Sequence, residues 1–584
     1  MNGFSQNFIS FTKSAAQGAR ELKYLSLSRL RKVFSLMGKR ERLALVALAA
    51  LALISLFVSG RNFYYGHTTP VAGFGGSYRE AVLGQPGYIN PLLAHQEPDL
   101  SLTKLVFSGL YKYGQSGQLA PDLADGLPQI SADQKQYTIN LKHNAKWHNG
   151  KPVLADDIIF TISLLQDLAY KSPLRAIWQS TMVEKLSDFS VRFTTKDVSG
   201  PFSDNLTLPI LPQSVWGKVD AQNFLLSKNN LEAIGSGPYA IKEIKKLPSG
   251  KVQQITLNAS PDYYFGSAKI SQVIVKFYDT EEDILNAFHS REIDGFGYTP
   301  LGSSLYLDKN QPQTQIFSIP LPQYQMVFFN LNNAILADQN VRTALNLATD
   351  KQQIIGQVFN GSALLPASPL LFNDGQNQRE NYAPPNIAKA QNLLEGSGWK
   401  LDPKTGQRSN KKGSPLELTL VTNDTLVNAK AAEILAGQWR RLNIKVNLSI
   451  LPGKQLTDAV IKPRAFDALL FPQKFGADPD PFLFWHSSQI KDPGYNLTGF
   501  SDPAADKLIT QARTTTDKAV RQAKYQEFNN LIMAKLPVIF LDQTEYVYAL
   551  DKSVKNVGLK VLYDPSQRFY DINNWYVATA RVWK

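Results

Sequence analysis

Residues 475–486 read FGADPDPFLFWH, placing Asp478 and Asp480 two positions apart, each followed by proline, beside Phe475 and the apolar run Phe482, Leu483, Phe484, Trp485. Two carboxylates in aromatic surroundings can serve as a general acid and base, as metal ligands, as a receptor for a cationic group, or as the frame of a tight turn. Acid and base catalysis needs a completed constellation, and the chain carries no G-x-S-x-G, H-E-x-x-H or P-loop motif to supply one. Asp480, between Pro479 and Pro481, has the setting of a turn residue. A metal would need further ligands near the D-P-D triplet, and His486 is the one acid or histidine close to it.

The other chemistry-bearing residues are dispersed. Six histidines (67, 95, 143, 148, 289 and 486) are spread along the chain, and there is no cysteine, so no thiolate nucleophile, disulfide or cysteine-linked lipid is available. GSGPYA (235–240) fits a loose dinucleotide pattern, but Pro238 and the alternation that follows speak against the helix such a motif opens. Asp156 and Asp157 fall in the first turn of an expected helix, where acids complement the macrodipole. No cofactor or metal is expected, and no catalysis.

The elements that position these residues belong to a large chain. At 584 residues it exceeds the ~250–300 at which single cores stop growing, so several domains are expected. With 43% hydrophobic and 19% charged residues the composition is that of an ordered protein. The net charge of +13 is uneven. Nine Lys and Arg against two Glu give residues 1–42 a charge of +7, leaving +6 for the other 542, which is poor support for a nucleic-acid surface.

Behind this basic segment, Leu43–Gly60 (LALVALAALALISLFVSG) has neither charge nor proline. It suffices for a membrane span when Phe63, Tyr64 and Tyr65 form an interfacial belt, and the basic flank places the N-terminal side in the cytoplasm. A cleavable signal is the rival reading, because Val58-Ser59-Gly60 resembles a cleavage site, yet the leader is long for an n-region. The stretch 21–37, ELKYLSLSRLRKVFSLM, has the character of a basic amphipathic helix suited to the inner leaflet. Residues 61–76, ending in GHTTPVAGFGG, read as a flexible tether.

In the body, LELTLV, a helix over Val427–Leu442, and IKVNLSI form a strand, helix, strand unit that implies a parallel pair and an α/β fold. Helices are expected over Glu281–Arg291, with Thr280 and Asp283 as a capping box, and over Ile387–Glu395, ended by Gly398. Tyr137, Ile139 and Leu141 alternate ahead of a turn at Asn149-Gly150, with a helix starting near Ala155.

An ordered series of segments then resembles the family 5 extracellular solute-binding proteins, the oligopeptide- and dipeptide-binding components of ABC importers. It comprises LVFSGLYKYGQSGQLAPDLADG (105–126), LKHNAKWHNGKPVLADDIIFTI (141–162), GSGPYAI, REIDGF, FFNLNNAILADQNVRTALNLATDKQQII (328–355), AKAQNLLEGSGW and FGADPDP. The resemblance implies a two-lobed, type II periplasmic-binding-protein-like clamshell with an extra third domain, here preceded by one transmembrane helix. Mapped onto this chain, lobe I is 77–107, 213–322 and 546–584, the extra domain 108–212 and lobe II 323–545, so the chain crosses between lobes near 322 and 545.

The resemblance also implies a site. In peptide-binding relatives a W-x-x-D segment supplies the aspartate that pairs with the peptide ammonium; the matching positions are Phe475, Gly476, Ala477 and Asp478. Phenylalanine replaces tryptophan, and only Pro479 separates Asp478 from Asp480. The opposite wall is expected from His95, Gln96 and Glu97, after Asn90-Pro91. The implied partners are a peptide, an ABC permease and the cell membrane, with the chain a monomer and its binding domain extracytoplasmic. Relatives that take nickel complexes, oligosaccharides or haem keep another solute open, and a tethered hydrolase or structural surface protein stands as the alternative of a different class.

Overall fold

The computed structural model describes residues 34–172, 174–298, 312–366, 368–370 and 382–584. The basic leader through residue 33, and with it most of the expected amphipathic stretch 21–37, lies outside them. The chain divides into two compact units, one of residues 1–71 with 579–584 and one of residues 72–578.

In the first unit helix α1 spans Lys39–His67, none of it buried. By length and composition it is able to cross a membrane. The segment expected as a flexible tether is structured instead. Arg61–His67 continue α1, and Thr68–Ala72 form a strand paired with Thr579–Trp583. Gly66 and Pro70 suggest a linker when read alone, but β-branched Thr68, Thr69 and Val71 suit a strand once a partner is present.

The second unit is built on one large mixed sheet. In chain order its main strands are β1 (Ser77–Leu83), β2 (Tyr239–Lys246), β3 (Val252–Ala259), β4 (Gln272–Tyr278), β5 (Gly295–Tyr298), β6 (Thr314–Phe329), β7 (Glu417–Asn423), β8 (Lys445–Leu451), β9 (Ala468–Lys474) and β10 (Val538–Asp551). Their spatial order is β8-β7-β9-β6-β10-β5-β1-β4-β3-β2, with the short strand Ala363–Leu364 also on β10. The unit read from alternation is present: β7 and β8 run parallel, Glu417 opposite Lys445 through Asn423 opposite Leu451, joined by helix α3 (Leu426–Arg440).

β6 and β10 serve both halves of the sheet. Their antiparallel register runs from Thr314 opposite Asp551 to Pro320 opposite Glu545, then breaks and resumes at Tyr324 opposite Gln543. Leu321, Pro322 and Gln323 therefore face Thr544 alone, and two prolines in this stretch of β6 cannot donate ladder hydrogen bonds. On one side of the break Ile319 and Leu321 enter the core built on β1–β4. Beyond it Val327 and Phe329 pack with Leu435 and Trp439 on one face, while Met326 and Phe328 pack with Trp485 and Phe528 on the other. Apolar residues on both faces are what a sheet covered by helices on both sides requires.

Residues 129–195 add a separate four-stranded sheet with the helix Ala155–Gln166. Asp157 does more at its start than complement a dipole: its carboxylate accepts from Trp147 Nε1 (3.0 Å), Leu154 N (3.0 Å) and Gln213 N (2.8 Å). The other expected helices form over Glu281–His289, where Thr280 Oγ1 accepts from Asp283 N, and over Ile387–Gly396. The glycines of GSGPYA serve packing. A Cβ on Gly235 would fall 1.9 Å from Val106 O, so the segment lies against the end of a helix rather than around a phosphate.

Candidate ligand-binding cleft

β9 delivers the chain into Phe475-Gly476-Ala477-Asp478, the prolines at 479 and 481 disfavour helix at the residues before them, Asp478 and Asp480, and a short helix, Phe482–Trp485, then closes the turn. Helices α4 (Pro503–Arg513) and α5 (Lys518–Lys535) pack behind it and bring in two arginines. Arg521 Nε lies 3.0 Å from Asp478 Oδ2, and Tyr525 OH donates to Asp478 Oδ1 at 3.1 Å. Arg513 Nε lies 3.0 Å from Asp480 Oδ2, with its guanidinium 4.0 Å from the Phe482 ring centroid.

Asp480 Oδ1 accepts from Phe482 N at 3.1 Å, so this carboxylate frames the turn, as its prolines suggest. Burial pushes both aspartates above the usual carboxylate range, opposed by Arg521 at Asp478 and by Arg513 at Asp480. Phe475 is buried, edge-on to Tyr324 and Phe484, and its N–H donates to Pro322 O at the register break of β6. It ties the site to that break.

The facing wall comes from the 108–212 region. Asp204 accepts from Tyr113 OH at 2.6 Å, and Tyr113 packs edge-on against Tyr563 at 4.8 Å. Burial pushes Asp204 up to about 6, opposed by the Tyr113 hydroxyl and aided by the charge of Asp478. Two cavities, of about 960 and 550 Å³, lie between these walls, and Asp204, Ala477 and Asp478 line both. The carboxylates thus stand where the two chambers meet.

The walls also touch directly. Gly200 N donates to Arg513 O (2.9 Å), Thr516 N and Oγ1 donate to Gln134 Oε1 (3.1 and 2.9 Å), and Lys474 Nζ lies 2.6 Å from Asp564 Oδ2. A Cβ on Gly200 would stand 2.5 Å from Thr515 O, so only glycine permits that approach.

Phe475, Gly476, Ala477 and Asp478 all line the larger cavity, whereas His95, Gln96 and Glu97 line neither. His95 Nδ1 is 2.9 Å from Leu93 O, Gln96 is the residue before helix α2 (Glu97–Val106), and Glu97 Oε1 is 3.2 Å from Arg568 Nη1. Asp204 and Tyr113, from the 108–212 region, face Asp478 across these cavities, and α2 turns Glu97 toward Arg568. Arg521, Tyr525 and Asp204 had no local signal; they are ordinary residues on amphipathic or short helices until the fold gathers them. Among the described residues no group of three His, Cys, Asp or Glu is placed to hold a metal ion.

The family model described as bacterial extracellular solute-binding proteins, family 5, middle, matches residues 118–496. The oligopeptide-binding protein AppA of Bacillus subtilis is 27% identical over 555 residues, covering 92% of this chain and all of that one. The structure of AppA in complex with a nonapeptide aligns with a TM-score of 0.68 at 25% identity, covering 87% of this chain and 100% of AppA. NikZ from Campylobacter jejuni in complex with Ni(L-His) aligns with a TM-score of 0.68 at 25% identity, covering 86% of this chain and 99% of NikZ.

Proposed function

The chain belongs to the bacterial extracellular solute-binding proteins of family 5, and from that premise we propose that it captures peptides in the cleft between its walls and delivers them to the permease of an ABC importer. The observation that carries this reading is the meeting of two chambers at Asp204, Ala477 and Asp478. At about 960 Å³ the larger chamber alone is at the upper end of the ~300–1,000 Å³ of small-molecule pockets, which suits an extended ligand. The likeness to an oligopeptide-binding relative supports the same solute class.

Peptides of differing sequence share an ammonium group and a backbone, so a receptor that fixes those two tolerates many side chains. Asp478 is the anchor for the ammonium. An ionised carboxylate offers about four lone-pair sites, and Arg521, Tyr525 and the Asp480 backbone N–H engage up to three, leaving one for a charge-assisted bond to the ligand. Asp204 adds charge from the facing wall.

Ligand that touches both walls stabilises the closed form in proportion to its preference for that form, and the Lys474–Asp564 and Gly200–Arg513 contacts add to it. The register break of β6 against β10 is the point where the two halves bend. The chain binds rather than transforms its solute, and the transporter supplies the ATP. Helix α1 holds it in the cell membrane, with the basic leader inside and the binding unit outside.

The test is to denature the purified 70–584 fragment and identify the small molecules released by mass spectrometry. Released peptides are expected. A nickel complex, a sugar, or nothing after growth in a peptide-rich medium would sink the peptide reading.

A further inference from the structure

The strand Thr579–Trp583 and Lys584, more than five hundred positions beyond α1 in sequence, close on its outer end. Arg581 Nη2 donates to Thr68 O (2.7 Å) and Tyr65 O (3.2 Å), and Arg581 Nε to Thr68 Oγ1 (2.8 Å). Lys584 N donates to His67 O (2.9 Å) and Lys584 Nζ to Gly66 O (2.8 Å), so the last carbonyls of α1 are capped from the far end of the sequence. Trp583 packs on Phe63 and Tyr64 at centroid distances of 6.4 and 5.9 Å. The Tyr65 ring has Arg581 at 4.4 Å and Arg61 at 5.6 Å.

These side chains stay outward: Trp583 is 64% exposed, Phe63 59% and Val582 47%. Residues 61–72 and 579–584 contain Arg61, Arg581 and Lys584 and no acid. We propose that Thr579–Lys584 is a second membrane contact, a cationic aromatic collar that settles with the end of α1 among anionic phospholipid headgroups.

The depth follows from the helix. Its 29 residues extend ~43 Å at ~1.5 Å each, against a hydrocarbon core of ~30 Å. A span beginning at Leu43 therefore leaves Phe63–His67 in the interfacial layer, and Trp583, in contact with Phe63 and Tyr64, shares their depth. Tryptophan and tyrosine are the residues that layer selects, and arginine and lysine reach outward from it to phosphates. The absence of acids matches an anionic surface.

This inference rests on the membrane-anchor part of the proposed function, and the test separates the two. The native chain has no cysteine, so single reporters are clean. Full-length Val582→Cys and Leu51→Cys, each with a polarity-sensitive fluorophore, are reconstituted in phosphatidylglycerol-containing vesicles whose lipids carry bromine near the headgroup, at the bilayer centre, or not at all. The 582 label is expected to lose fluorescence to headgroup-proximal bromine and the 51 label to central bromine, each against the bromine-free vesicles. Adding Trp583→Ala to Val582→Cys is expected to reduce quenching at 582 while labelled Leu51→Cys with Trp583→Ala keeps its own. A quenched 51 label with 582 no dimmer than in bromine-free vesicles overturns the collar alone; an unquenched 51 label overturns the anchor and the collar with it.

Discussion

Arg521 Nε sits 3.0 Å from Asp478 Oδ2, so the carboxylate that meets both chambers of the cleft already has a buried cationic partner. On the proposed reading, a ligand ammonium meets its remaining lone-pair capacity rather than its full charge. Asp478→Asn is expected to weaken free-amine peptides by about 1.5–3 kcal/mol, roughly ten- to a hundredfold, the scale of a hydrogen bond to a charged group. N-acetylated peptides of the same sequence should change far less. Titration calorimetry on both ligand sets decides it, and equal weakening of both would remove Asp478 from the ammonium role.

Asp204 sets a pH dependence. With its carboxyl pushed up to about 6, it is mainly protonated at pH 5 and mainly ionised at pH 7. A bound ammonium favours the ionised form, so free-amine affinity should rise as pH climbs through about 6, with proton release on binding near that pH. N-acetylated peptides should lack the trend, and Asp204→Asn should abolish it. A flat profile for free-amine peptides between pH 5 and 7 contradicts this.

Lys474 and Asp564 join the two halves of the binding unit, 2.6 Å apart. Asp564 is held below the usual carboxylate range because Lys474 and the Ser566 donors outweigh its burial. A folded pKa below the unfolded one means this contribution is present at neutral pH and lost as pH falls through the depressed value. The lysine is half exposed, so after solvent screening the pair contributes at most about 1 kcal/mol. Lys474→Met should raise the peptide Kd by no more than about fivefold. Small-angle scattering should show a lower closed fraction at subsaturating ligand, and an unchanged fraction and Kd would show that the pair does not help closure.

What the sequence made legible was local. Alternation in IKVNLSI together with a helix-length spacer specified the β7-α3-β8 unit, because period and length survive in any one segment. The D-P-D triplet announced a turn, and Asp480 does accept from Phe482 N. The partners of Asp478 were not legible, since Arg521 lies on α5 and Asp204 on the facing wall, and no pattern near position 478 encodes either. The tether failed for the same reason at greater range. Arg581 and Thr68, which bond in the first unit, are 513 positions apart, and a strand whose partner is that distant looks like a linker.

Asp542 yields a stability prediction at the register break. It lies on β10 opposite Gln325, fully buried, and neither of its oxygens has a hydrogen-bond partner among the described residues. Burial alone pushes its carboxyl well above the usual range, which favours the neutral acid. The unfolded chain ionises this aspartate near pH ~3.9. Above that pH the native state holds a proton that the unfolded state has released, and stability falls as pH rises until the folded group also ionises. Asp542→Asn, which keeps the shape and cannot ionise, should therefore raise the melting temperature at pH 7 to 8, with the gain shrinking to nothing as pH approaches ~4. Thermal unfolding of both proteins across that range is the check. Parallel melting curves from pH 4 to 8 would mean that Asp542 has a counter-charge or solvent path and is not held neutral. A gain confined to neutral and higher pH would show that this buried acid, beside the register break of β6, costs the fold stability at neutral pH.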